Sequence, residues 1–300
     1  MAGMINNFYY GKAGQADYTP EQMPTTRVAL FFEMLRIRFT GLFGMNFMYL
    51  LFSLPAVVWT LMTLAVMLSV QPDAAPVDSN PMYMYLTLLI PCLGISGIGA
   101  PGLMYVLRNW ARDQHSFAFS DFKEQVKSNW KQGLVVGLIN GFMLLVAYIG
   151  YIFYGQESAR NVIFVAPQMF TVILCVFWWM MNMVIYPMMV TYDMKLMQLI
   201  RNSAIVVLAR LPWAALVFVL SLLPAALVFI FISNQYVPLI VGLFYLVLGF
   251  ALTGFGYASF ANATFDRLIN PNIAGAPVNM GMRDPSLDDD DDEETPEQQA

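Results

Sequence analysis

Charge is what this chain has least of. Only 12% of its 300 residues are Asp, Glu, Lys or Arg, about half the share usual in soluble domains. With 58% apolar residues and a mean hydropathy of +0.59, an ordinary water-soluble domain is excluded. Histidine and cysteine are nearly absent, at one and two residues. That excludes a multi-Cys/His zinc cluster, and Cys92 and Cys175, both in apolar stretches, read as free thiols rather than a disulfide. The first 26 residues are polar and hold no short apolar segment ahead of a cleavage site, so the first long apolar run is expected to stay in the mature chain. No Asp, Glu, Lys or Arg sits unmistakably at the centre of an apolar run, which argues against a proton or ion relay built on membrane carboxylates.

What the chain has instead is length of apolar run. Six stretches approach the length needed to cross a bilayer, at about 42–70, 83–107, 133–154, 168–190, 212–233 and 237–261. The basic residues fall almost wholly on one side of them. The N-terminal segment, the 2–3 and 4–5 connections and the C-terminal segment together carry 14 Lys and Arg, against Arg160 alone on the other side. By the positive-inside rule both termini are expected on the cytoplasmic side. The acidic net charge of −5 belongs to the end of the chain: eight of its acids lie between Asp288 and Glu297.

The basic connections are patterned. Phe119, Phe122, Val126 and Trp130 share one helical face while Lys123, Glu124, Lys127 and Lys131 point elsewhere, as in an amphipathic helix at the cytoplasmic interface or packed on the ends of the bundle. TRVALFFEMLRIRF before span 1 and DMKLMQLIRNSAIVVLARLPW before span 5 are built alike, and SLPAVV (53–58) resembles SLLPAALV (221–228). We therefore expect three units, each an interfacial helix plus a hairpin. The organisation expected is an all-α, six-span bundle over 27–267, between a polar segment at 1–26 and a disordered acidic tail at 268–300.

Two features are candidates for chemistry. Gly94, Gly97, Gly99 and Gly102, with Pro101, interrupt span 2 just before Arg108, Arg112 and His115. They either let another helix approach closely, with the arginines anchoring the span end, or break the backbone and offer N–H groups to an anion. No P-loop Lys-Ser/Thr follows and no soluble strand precedes them, so a nucleotide fingerprint is excluded. Gly133, Gly137 and Gly141 form a GxxxGxxxG face in span 3, suited to packing inside the chain or to dimerisation. Asn140 and Asn182 are amides in apolar runs that need hydrogen-bond partners, and Asn182 beside Trp178, Trp179 and Tyr186 could line a pocket. The candidate contacts for a solute or lipid headgroup are Gly97, Gly99, Gly102, Arg108, Arg112, Asn182 and Tyr192. His115 between Asp113 and Asp121 lacks a nucleophile or metal set and reads as a solvent-facing turn.

The strings MNFMYLLFSLP (45–55), GIGAPGLMYVLRNWARDQHSFAFSDFKEQVKSNWKQG (97–133) and IYPMMVTYDMKLMQLIRNSAIVVLARLP (185–212) resemble, in order and spacing, the YesL-like family of bacterial integral membrane proteins of unknown function. The resemblance spans about residues 30–265 and implies a helical membrane fold in a bacterial cytoplasmic (inner) membrane. That family is often encoded beside genes for carbohydrate uptake or breakdown, which implies a role near sugar transport and supplies no catalytic residues. The expectation is a non-enzymatic membrane accessory or scaffold protein, with a small transporter for a neutral or anionic solute as the alternative. Its expected partners are the lipid bilayer and another membrane protein or transport complex. A homo-oligomer is left open, and no nucleic acid, cofactor or metal is expected.

Overall fold

A backbone surrounded by apolar side chains must bond to itself, and the helix is the local way to do so. A computed structural model describes residues 23–69, 81–231, 234 and 236–283, and among these every regular element is a helix. The first four are α1 (Arg27–Ser69), α2 (Pro81–Trp110), α3 (Ala118–Ser158) and α4 (Val165–Met189). Then come α5 (Leu196–Ala209), α6 (Leu211–Ser221), α7 (Leu223–Ile230), α8 (Tyr236–Phe244) and α9 (Phe250–Leu268), the last two joined by π-helical Tyr245–Gly249. Five helical stretches are long and apolar enough to cross a membrane, or six if the bent pair α5 and α6 counts as one. The protein is a polytopic helical membrane bundle.

Its centre is α2. Just over half of its most apolar stretch is buried (56%), against 28% or less in the other spans. Pro91 and Pro101 lie inside it, yet it runs unbroken through Gly97–Gly102, so the expected alternative of a broken backbone there is not what forms. The freed carbonyls do not unwind the helix because α3 is pressed against its whole length. α2 ends at a left-handed residue, Asp113 (φ 52), with N–H groups of Asp113 and Gln114 returning to the carbonyls of Trp110 and Asn109 at 3.2 and 2.8 Å. This is a Schellman ending. Asp121, in the first turn of α3, then accepts from the Phe117 N–H at 2.9 Å and from the Ser116 hydroxyl, fixing the hairpin.

The two helices of this hairpin touch backbone to backbone. A methyl placed on Gly97 would fall on the Gly133 carbonyl oxygen and 2.9 Å from the Gly137 Cα; one on Gly141 would lie 2.6 Å from the Ile90 Cα. The GxxxGxxxG face is therefore spent within the chain, against α2. Gly99 faces the Phe52 ring of α1, and Gly102 faces the Phe122 carbonyl of α3.

Three expectations are corrected. Phe117–Gln132 is no separate interfacial helix: it supplies the first turns of α3, where Phe122 and Val126 pack on Gly102. The segment before span 1 is likewise the start of α1, a helix of 43 residues, about 65 Å long against a hydrocarbon core of about 30 Å. Only the third unit breaks as expected, by a 100° bend between α5 and α6, where Arg210 and Pro212 interrupt the ladder. SLPAVV lies inside unbroken α1 while SLLPAALV straddles the α6–α7 break at Leu222, so the three-unit repeat does not hold. The expected fifth span is correspondingly two short pieces.

The π-helical turn has its own partner. Widening the ladder at Tyr245–Gly249 frees backbone groups, and the fully buried Asn46 of α1 meets them. Its Nδ2 donates to the carbonyls of Tyr245 and Leu246 at 3.1 and 2.9 Å, and its Oδ1 accepts from the Ala251 N–H at 3.0 Å.

A paired substitution tests the hairpin. Gly44→Ala, with nothing within 4 Å of the added methyl, is expected to stabilise α1 by about 0.5–1 kcal/mol. Gly97→Ala is expected to destabilise by about 1–3 kcal/mol through overpacking against backbone. Melting of both variants in the same detergent checks this; an unchanged or raised Tm for Gly97→Ala is the contrary result.

Candidate functional site

Basic residues from distant parts of the chain meet at one end of the bundle, and an acid holds them there. Asp266, near the end of α9, has a side chain only 2% exposed. Its Oδ2 takes the Arg27 guanidinium at 2.7 Å and the Asn279 N–H at 3.2 Å; its Oδ1 takes the Asn270 amide at 2.6 Å, with Arg112 at 3.5 Å. Arg112 is itself buried and also donates to the Pro277 carbonyl at 3.1 Å. Tyr192 donates through its hydroxyl to Asn270 Oδ1 at 2.7 Å. One carboxylate thus gathers the start of α1, the end of α2, the end of α9 and the segment after it.

That segment corrects the expected domain boundary at 268. Residues 269–283 lie against the bundle through Asn270, Pro277, Asn279 and Met280, and the Arg283 N–H bonds the Pro24 carbonyl at 3.1 Å. They hold polar and backbone groups that pair with buried charges, which their acid-poor composition did not advertise. The acidic run itself, and residues 1–22, lie outside the described residues.

Beside the clasp lies a polar cavity of about 450 Å³, lined by Tyr105, Arg108, Asn109, Arg112, Gln114, His115 and Pro277. Arg108 reaches only the Asn109 side chain, at 3.2 Å, and its Nε has no hydrogen-bond partner among the described residues. No carboxylate among them lies within ion-pair distance of it. Burial pushes the Tyr192 hydroxyl up to about 12, with Arg108 and Arg112 acting the other way, so it remains a neutral donor. An arginine without a counter-ion in a polar cavity suits a small anion. The cavity holds no nucleophile and base in contact: His115 is exposed and stacks edge-on against Phe117 at 4.7 Å. Asp121 is engaged by Ser116 and Phe117, and Asp113 faces Arg38 at 3.9 Å.

Of the residues singled out in the sequence, Arg108 and Arg112 come together at this cavity, and Tyr192 joins them through Asn270. Gly97, Gly99 and Gly102 do not; they are closed over by α3 and α1. Asn182 is buried inside α4 with its amide on the Trp178 carbonyl at 2.9 Å, while Asn140 accepts from the Trp178 indole at 2.8 Å. Neither asparagine lines a described cavity. Cys92 and Cys175 are unpaired and half-buried.

Two important polar residues escaped the sequence reading. Asp266 follows the last expected span by five residues and looked like part of a connection, although an acid directly after Phe265 and before Arg267 was its signal. Asn46 stood in the quoted string MNFMYLLFSLP without a role; a lone amide in an apolar run was the available clue.

This geometry defines a helical membrane protein with a pinned basic end. A family model described as "Protein of unknown function, DUF624" matches residues 42–151, which takes in most of α1, all of α2 and most of α3. The chain is similar to that uncharacterised family over the glycine-packed hairpin and the two cavity arginines, while Asp266 and Tyr192 lie outside the match. No curated protein and no solved structure matches the chain.

The clasp predicts an asymmetric mutational response. Asp266→Asn leaves buried Arg112 without its counter-charge and is expected to cost about 3–5 kcal/mol. Arg27→Gln removes a partner whose side chain is 27% exposed and is expected to cost about 1 kcal/mol or less. Thermal unfolding of both in detergent gives the ranking; equal small losses would contradict a structural role for Asp266.

Proposed function

We propose that this chain is a non-enzymatic accessory or scaffold protein of a bacterial cytoplasmic membrane, with both termini on the cytoplasmic side. The observation that carries the reading is the filled middle of the bundle. Transport through the glycine stretch would need a polar passage linking Gly97–Gly102, Asn182 and Tyr192. Instead the glycines are occupied by α3 and α1, and Asn182 is buried with its amide on the Trp178 carbonyl. The resemblance to the YesL-like family adds a partner class: another membrane protein, with a carbohydrate transport system as the first choice. The orientation rests on the basic asymmetry, and a cysteine placed after Arg283 should be labelled only once the membrane is opened.

The alternative, a small transporter for a neutral or anionic solute, is favoured by one observation, the uncompensated Arg108 in its cavity. Flux in proteoliposomes holding the chain alone separates the two. The accessory reading expects no saturable flux of mono- or disaccharides or of inorganic phosphate. Saturable flux that falls on Arg108→Gln would replace it with the transporter reading.

A further inference from the structure

A second cavity lies at the same end of the bundle, between α1, α6 and α9, with a volume of about 900 Å³. Its walls are apolar: Val28 and Phe31 from α1, Trp213, Leu216 and Leu220 from α6, and Phe260 from α9. Its mouth is cationic. Arg210 and Arg267 both line it, and no carboxylate among the described residues is within ion-pair distance of either. The acid present, Asp266, is already engaged by Arg27 and Arg112. Two polar atoms shielded from solvent also lack partners among the described residues: Arg210 Nε at the mouth and Ser259 Oγ in the wall. Gly256 leaves part of the wall open, with nothing within 4 Å of where its side chain would begin.

Two arginines without counter-ions, shielded polar atoms without partners among the described residues and an apolar trough leading away describe one kind of guest. We propose that this groove binds an anionic glycerophospholipid of the surrounding bilayer, its phosphate on Arg210 and Arg267 and an acyl chain along α6 and α9. The chemistry is consistent at both ends. The phosphate supplies the missing counter-charge and accepts from the Arg210 Nε, while the chain covers apolar groove wall such as Trp213, Leu216 and Leu220, which are exposed. A neutral lipid would fill the trough and leave the arginines without a counter-charge. A free anion would satisfy the arginines and leave the trough unfilled. α6 keeps a polar contact with α9 beside the groove, the Tyr257 hydroxyl donating to the Ser221 hydroxyl at 2.8 Å. This inference is independent of the accessory reading, since lipid binding requires no protein partner.

The test uses the full chain in detergent, titrated separately with dioleoyl phosphatidylglycerol, dioleoyl phosphatidylcholine and inorganic phosphate. Native mass spectrometry and melting are the two readouts. One retained phosphatidylglycerol per chain with a raised Tm is expected, with neither effect from phosphatidylcholine at equal concentration. The double variant Arg210→Gln/Arg267→Gln is expected to weaken retention roughly thirtyfold, two lost surface cations at the usual strength. Gly256→Leu places a side chain in open space, so its fold and unliganded Tm are expected to persist while phosphatidylglycerol is lost. Equal retention of both lipids, or retention unaffected by Gly256→Leu, overturns the proposal. A Tm shift with inorganic phosphate as large as with the lipid replaces it with a free-anion site. A lipid-free dimer disrupted by Gly256→Leu replaces it with an interface between copies of the chain.

Discussion

The backbone contact between Gly97 and Gly133 is the constraint from which the rest of the bundle takes its geometry. In lipid, apolar side chains have little preference for each other over acyl chains, so close packing has to supply the association. Glycine at 97, 133, 137 and 141 removes the side chains that would hold α2 and α3 apart. Once they close, α2 is shielded along its length and can carry Pro91 and Pro101 without breaking. Phe52 of α1 then covers Gly99 from another side. The same closure fills the space beside Gly97, Gly99 and Gly102.

Polar residues finish what packing begins. Two of the buried ones are matched to a backbone irregularity or to charges from elsewhere in the chain. Asn46 answers the π-helical turn some 200 residues away, and Asp266 answers two arginines from α1 and α2. A buried ion pair of this kind is weak evidence for net stability, because desolvation offsets much of the attraction. Its consequence is specificity: a register in which α9 slipped against α1 or α2 would leave three charges unpaired in a buried setting. The clasp thereby fixes where the cavity beside Arg108 and the groove beside Arg210 open.

The helical class and the long apolar helices were legible because each is a property of long segments. So was the GxxxGxxxG face at Gly133, since small residues at that spacing have few other uses in a membrane helix. What the sequence could not show was where helices begin and end on the basic side. An amphipathic pattern over Phe119–Trp130 is the same whether the helix lies on the membrane or continues into α3, and only the partner surface at Gly102 decides it. The similarity of SLPAVV and SLLPAALV misled for a related reason. Pro55 lies deep inside α1, which packs on α2 and α9 and runs on through it, whereas Pro224 follows the α6–α7 break at Leu222. Asp266 and its partners were illegible because their meaning is pairwise and long-range: the acid and Arg27 are 239 residues apart.

The filled middle and the pinned end together divide the molecule into two unlike cavities that share a wall of charge. Arg112 and Asp266 stand between them, each lining one. The cavity at Arg108 is polar and built on the α2–α3 hairpin, the part of the chain similar to an uncharacterised family. The groove at Arg210 is apolar and built on α6 and α9, outside that match. An anion entering the first would draw on Arg108 and on the field of Arg112, which also holds Asp266. Any weakening of that hold would be felt by Arg27 at the rim of the groove, because Asp266 is shared. One carboxylate thus serves arginines that face two different spaces.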